Sequence, residues 1–165
     1  MSAEVINPVR KTLGDTVPLS LFRALRMGAY EGMKEVTGRG ASAIITRGGL
    51  LVGRNLGIQI LKNNMSVQDY LAGVVATCKE LSIGYVSVID GDLKSFVVVK
   101  VEECVTCSNV PDIGETICHF EGGVISGIFE MFTKKMVRST EIECCAKGNS
   151  ACVFDVRLGQ SPVGC

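Results

Sequence analysis

Residues 137–158 read Val137-Arg-Ser-Thr-Glu-Ile-Glu-Cys-Cys-Ala-Lys-Gly-Asn-Ser-Ala-Cys-Val-Phe-Asp-Val-Arg-Leu158. The segments Val137–Cys145 and Ala151–Leu158 have the composition of strands, and Lys147-Gly148-Asn149-Ser150 between them has the composition of a turn. The stretch is therefore a β-hairpin carrying three cysteines at its tip. Its register decides which of them face each other. A two-residue turn at Gly148-Asn149 sets Cys145 opposite Cys152, whereas a three- or five-residue loop centred on Gly148 sets Cys144 there. Strand alternation puts Glu141 and Cys145 on one face and Cys144 on the other, unless a bulge intervenes. Periodicity leaves the choice between the adjacent cysteines open.

Working upstream, Glu115 to Met136 is helical in pattern, with Ile117, Phe120, Val124, Ile128, Met131 and Phe132 on one face. Gly122, Gly123 and Gly127 each cost such a helix ~1 kcal/mol, which points to close packing against another element. Gly84–Ile89 and Ser95–Val101 read as strands joined at Asp90-Gly91-Asp92. Before them the period is helical: a helix opening at Pro18-Leu19-Ser20 with Leu21, Leu25, Gly28, Ala29, Met33 and Val36 in phase, ended by Gly38 and Gly40; short helices at 41–46 and from 48 or 50 to 61; and one begun at Ser66 with Tyr70, Val74, Cys78 and Leu81 on its face. Residues 1–17 form an arm or a short hairpin, and 18–160 a single domain. The order helices, hairpin, helix, hairpin favours an antiparallel sheet and an α+β fold.

The bulk composition narrows function. In 165 residues, seventeen basic side chains balance seventeen acidic ones and no stretch is strongly basic, so the footprint of a nucleic-acid binder is missing. Apolar residues make up 47% of the chain, which suggests an interior pocket or a subunit interface. Runs such as Val97-Val98-Val99 are far shorter than the ~20 residues of a membrane span. The first residues carry no basic segment leading into an apolar run, and a reducing cytoplasm is the expected setting.

In that setting eight cysteines call for a metal. Cys78 and Cys165 stand apart, while Cys104, Cys107, Cys118, Cys144, Cys145 and Cys152 crowd the last third. Zinc takes thiolate, imidazole and carboxylate donors in a tetrahedron. Cys118, at the start of the late helix, sits where a helix N-terminus favours a thiolate. Filling of an apolar core is the alternative use of such residues. Cys104 and Cys107 form a CxxC followed by a Pro/Gly loop, not by the helix that a thioredoxin-like redox motif needs. They are instead a rival metal pair for Cys144 and Cys152. His119, the single histidine, diverges by ~100° from Cys118 on a helix and belongs outside the coordination sphere. With one histidine no Ser/His/Asp set is available, and the glycines at 48, 49 and 53 lie in helical context, not in a dinucleotide-binding loop. The chain does not read as an enzyme.

Cys104-Val-Thr-Cys107, Ile117-Cys-His-Phe-Glu-Gly-Gly123 with Gly127, and Glu141-Ile-Glu-Cys144-Cys-Ala-Lys-Gly148-Asn149-Ser-Ala-Cys152-Val-Phe154 together resemble the 4-vinyl-reductase domain family over residues 97–158. The resemblance implies a small-molecule-binding fold shared with aromatic-sensing bacterial regulators and with Golgi transport subunits, of the NO-signalling/Golgi-transport type. It implies zinc held by Cys118, Glu141, Cys144 and Cys152, and thereby a hairpin register that favours Cys144; Cys104, Cys107 and Cys145 stay as the alternates that the residues themselves leave open. Four protein ligands make such a zinc structural, with Lys147 and backbone amides as candidates to offset its negative charge. Asn149 stands where the family more often has aspartate, and keeps the turn chemistry. The implied activity is binding of a small, mostly apolar molecule by a sensor or regulatory homodimer, with walls from helices 21–36 and 66–82 and the 85–101 hairpin. The alternative is a reductase-associated or scaffold subunit acting through dimerisation. The chain has no tryptophan with which to recognise a ligand.

Overall fold

The computed structural model describes residues 10–14 and 16–162, without the side chains of 160–162. Three helices come first: α1 (Leu19–Thr37), α2 (Gly40–Ile60) and α3 (Val67–Glu80). Strands β1 (Tyr85–Gly91) and β2 (Phe96–Glu102) follow, then α4 (His119–Thr133), β3 (Lys135–Glu143) and β4 (Cys152–Pro162). The sheet is antiparallel throughout in the order β1-β2-β4-β3, which is the α+β arrangement expected from the sequence. Most of the arm or hairpin at 1–17 lies outside the described residues. Within it, 10–14 form a turn in which the Gly14 amide bonds the Arg10 carbonyl.

Side-chain alternation fixes the buried face. Val97, Val99 and Val101 of β2 are buried, and they pair with Val156, Phe154 and Cys152 of β4. α4 crosses this face and is buried from Glu121 to Glu130. Its Glu130 carboxylate takes the Arg54 guanidinium at 2.7 Å. Its Ser126 hydroxyl accepts the Ser139 amide of β3 at 3.0 Å.

The two short helices expected at 41–46 and 48–61 are one continuous helix, α2. Gly48 and Gly49 do not break it, because α4 lies against its backbone. A Cβ at Gly49 would stand 2.0 Å from the Phe120 carbonyl oxygen, one at Gly53 2.1 Å from that of Val124, and one at Gly123 2.1 Å from that of Thr46. Glycine here permits backbone-to-backbone contact, the close packing that Gly122, Gly123 and Gly127 suggested. α4 also starts later than expected, at His119 instead of Glu115. Ile117 and Cys118 are buried in an irregular segment before it, so their apolar phase continues the helical pattern without helical backbone. At α3 the Ser66 hydroxyl caps the helix by accepting the Asp69 amide at 3.1 Å.

Candidate metal centre and cavity

Three pieces of backbone converge at one end of the sheet. The β2–β4 register pairs Val101 with Cys152, so the turn after β2, which carries Cys104 and Cys107, begins beside Cys152. The β3–β4 register pairs Glu143 with Val153, which sets Cys144 across from Cys152 at the hairpin tip. The register shifts between Glu141 and Glu143. This bulge leaves Ile142 and Glu143 both exposed and turns Glu141 inward toward the side of Cys144. Cys118, immediately before α4, closes the cluster from the third direction.

The result is two overlapping sets of four donors. Within each, the donor atoms all lie within 4.8 Å of one another: Cys118, Glu141, Cys144 and Cys152 form one, and Cys104, Cys107, Cys118 and Cys152 the other. The four residues implied by the resemblance are therefore together. The rival pair Cys104 and Cys107 is also present, but it meets Cys118 and Cys152 and not the Cys144–Cys152 pair that the sequence suggested. Cys145 heads a 3-10 turn (Cys145–Lys147), is half-buried, and belongs to neither set. Lys147 is exposed. The turn is locked by the Asn149 side-chain oxygen, which accepts the Cys144 amide at 3.2 Å.

The donor chemistry fits zinc. All five cysteines of the two sets are buried and free of disulfides. The Sγ separations are 3.0 Å for Cys107–Cys152, 3.3 Å for Cys107–Cys118, and 3.7 Å for both Cys104–Cys118 and Cys118–Cys152. Sulfurs ~2.3 Å from one tetrahedral ion stand about 3.8 Å apart, so the cluster is already near that size. Glu141 Oε2 accepts the Cys118 amide at 3.0 Å, while Oε1 is buried without a hydrogen-bond partner. A buried carboxylate oxygen left so is costly unless a cation answers it. Without one, burial first, and then the neighbouring Cys144, raise the Glu141 carboxyl to about 8. The thiols cannot all ionise side by side: Cys118 is pushed up, most strongly by Cys104. Cys104 is pulled down, first by a bond from Cys107, and Cys144 likewise, first by Cys107. Backbone amides add to this, that of Cys107 toward Cys104 and that of Ile117 toward Cys144. His119 lies in neither set; its Nε2 is 3.2 Å from the Tyr30 hydroxyl, and burial lowers its pKa.

A cavity of about 280 Å³ lies between helices and sheet. Phe22 and Arg26 of α1, Leu71 and Cys78 of α3, and Val86 and Val99 of the first hairpin line it, which are the three walls expected from the sequence. α4 supplies a fourth wall, through Val124, Ile125 and Phe129 among others. That wall was not anticipated, although the apolar stripe of α4 carries its signal. The polar feature at the edge is a buried cluster. Arg26 pairs with Glu121, and Thr106 donates to Glu121 Oε1 at 2.7 Å and accepts from Arg26 at 2.5 Å.

The family model of the 4-vinyl-reductase domain matches residues 97–158. The chain is 31% identical over 152 residues to the uncharacterized protein MJ0150 of Methanocaldococcus jannaschii, a match that spans 92% of this chain and 82% of that protein. Among solved structures, it resembles the phenol-responsive sensory domain of the transcription activator PoxR, determined with phenol. The TM-score is 0.68 at 14% identity, over 88% of this chain and 76% of that one. Trafficking protein particle complex subunit 3 from Naegleria fowleri, covalently bound to palmitic acid, gives a TM-score of 0.66 at 13% identity, over 88% and 98%. At these identities the likeness is one of fold.

Proposed function

The chain belongs to the 4-vinyl-reductase domain family, and from that premise we propose that it is a sensory or regulatory domain that binds a small hydrophobic molecule between its helices and sheet. The observation that carries this reading is the 280 Å³ apolar cavity. It exceeds the ~150 Å³ space that accepts benzene in an engineered core, so a substituted single ring or a short branched chain fits. Arg26 and Glu121 at its edge are paired with each other, which leaves the apolar walls to select the ligand. The two structural neighbours hold phenol and palmitic acid, and a ligand of apolar character suits the side chains that line this chain's cavity. No enzymatic role is proposed: the charged groups at the cavity edge are already paired with one another.

Zinc in the set Cys118, Glu141, Cys144 and Cys152 is proposed as a structural ion that clamps the β3–β4 hairpin to the start of α4. Maintaining thiolates for it requires a reducing setting such as the cytoplasm. Among the described residues no helix is long and apolar enough to cross a membrane.

The test is thermal unfolding with a panel of alkylphenols and C6–C10 fatty acids. A ligand at 100 times its Kd adds ~2.7 kcal/mol, which for a chain of this size raises Tm by roughly 5–10 °C. Val99→Phe, which fills the cavity, should abolish the shift. If no compound in the panel shifts the melting of the wild type, the ligand-binding reading fails.

A second reading, an assembly subunit acting as a homodimer, is favoured by Ile44, Leu51 and Ile58, exposed at seven-residue intervals along α2. Light scattering at micromolar concentration tests it: a dimer that Leu51→Glu dissociates supports it, and a monomeric wild type removes it.

A further inference from the structure

The two donor sets share an edge. Cys118 and Cys152 belong to both, Cys104 and Cys107 only to one, Glu141 and Cys144 only to the other. From this geometry we propose a binuclear zinc centre, in which Cys118 and Cys152 bridge two ions, Cys104 and Cys107 complete the first, and Glu141 and Cys144 complete the second. The proposal rests on zinc occupying the Glu141 set, and it adds the other ion.

Each half has its own support. On the Glu141 side it is the partnerless buried Oε1. On the Cys104 side it is the sulfur packing: Cys107 lies 3.0 Å from Cys152 and 3.3 Å from Cys118, and Cys104 3.7 Å from Cys118. These thiols lie in the apolar core, but core filling does not require four sulfurs to converge on one another, whereas a tetrahedral ion does. The turn that bears them is preformed, with the Ser108 amide on the Cys104 carbonyl and the Val110 amide on the Cys107 carbonyl, both at 3.0 Å. An iron–sulfur cluster inserts its own sulfides between the cysteines and spreads them apart, so sulfurs in mutual contact favour bare ions. Two ions on opposite sides of the 3.7 Å Cys118–Cys152 edge, each ~2.3 Å from both sulfurs, stand about 2.7 Å apart.

Charge is balanced as well. One Zn2+ with three thiolates and a carboxylate carries two net negative charges, with Cys104 and Cys107 left as thiols. Adding the second Zn2+ expels two S–H protons to solvent, and the total stays at two negative charges. The Arg23 guanidinium sits on the same turn, donating to the Val105 carbonyl at 2.7 Å and to the Ser108 hydroxyl at 2.8 Å.

The second ion would also tie metal to cavity. Val105 lines the cavity, and Thr106 holds Glu121 and Arg26 at its edge. Both stand between the two cysteines of the turn.

Native mass spectrometry of the full chain, refolded under reducing conditions with zinc chloride, should count two zinc ions. Cys104→Ser/Cys107→Ser should retain one. X-ray absorption at the zinc edge should show a zinc–zinc distance of about 2.7 Å in the wild type, a measurement that stands even if the double variant fails to fold. One zinc in the wild type overturns the binuclear centre and leaves the single structural zinc intact. Two zinc ions without a short zinc–zinc vector also overturn it. No zinc at all overturns both.

Discussion

Replacing Gly53 with alanine tests the geometry on which the whole interior depends. Off the crossing, Gly→Ala in a helix gains up to ~1 kcal/mol from intrinsic propensity. At Gly53 the new methyl would stand 2.1 Å from the Val124 carbonyl oxygen and 2.8 Å from Val124 Cα. Both are backbone atoms of α4, so no rotamer relieves the clash. Reaching an ordinary contact of 3.4 Å moves the helices apart by ~1.3 Å. Misfits of this kind cost 1–3 kcal/mol or more, which exceeds the propensity gain. A net loss of about 2 kcal/mol is expected, a Tm drop of roughly 4–8 °C. Gly28 on α1 is the internal control: a Cβ there meets nothing within 4 Å. Gly28→Ala should raise Tm by about 2–4 °C for its ~1 kcal/mol. Both are measured by calorimetry at one fixed zinc concentration, since bound metal shifts Tm by mass action. If Gly53→Ala melts at or above the wild type, the two backbones are not in contact, and the path of α4 over the sheet is wrong.

Three further outcomes follow from the interior. Glu121→Gln leaves the Arg26 guanidinium without its buried anionic partner and should cost about 3 kcal/mol in urea unfolding, whereas Arg26→Met/Glu121→Leu should recover most of it. Burial raises the Cys78 thiol from 9.0 to about 11. The folded chain thus keeps a proton that the unfolded chain has lost, and stability falls as pH rises from about 9 to 11, by ~3 kcal/mol at 1.36 kcal/mol per unit. That step should be absent from Cys78→Ala and so appear in full in the difference between wild type and variant, each unfolded by denaturant across this range. Removing zinc with a chelator at neutral pH should lower Tm by roughly 8–16 °C if free zinc had been ~1,000 times its Kd, with restoration on adding zinc; an unchanged Tm would deny the ion a structural role.

What could be read from the sequence, and what could not, divides along physical lines. Elements whose ends are marked by local chemistry were legible: Ser66 caps α3, and the period-2 run of β2 buries Val97, Val99 and Val101. Features set by distant backbone were not. The stretch 41–61 reads locally as two short helices, and the approach of α4 to the glycines of its second half accompanies a single continuous helix. The start of α4 was misplaced because Ile117 and Cys118 are buried as loop residues, and burial alone leaves the same apolar mark as a helix face. Adjacent cysteines could not be separated by alternation because the bulge between Glu141 and Glu143 has no signature of its own; Ile142 is a good strand residue either way. The contact of Cys104 and Cys107 with Cys118 depends on β2 pairing with β4, a register between strands separated by a helix and another strand.

The segment from 103 to 118 shows why a metal suits this place in the fold. It joins the central strand β2 to the buried helix α4 without helix or strand of its own, yet Cys104, Thr106, Cys107, Ile117 and Cys118 are buried within it. A connection of that kind has few apolar side chains to pack and no ladder to hold its amides. Its fixed points are polar: Arg23 on the Val105 carbonyl, the Ile113 amide on the Ala146 carbonyl at 2.8 Å, and Thr106 on Glu121. Coordination of the proposed ions would supply the remaining anchors at the cysteines. The same turn then presents Val105 to the cavity. On the proposed reading, rigidity at the metal would be rigidity of a cavity wall, and a ligand that displaced Val105 or Thr106 would pull on the cysteines to either side.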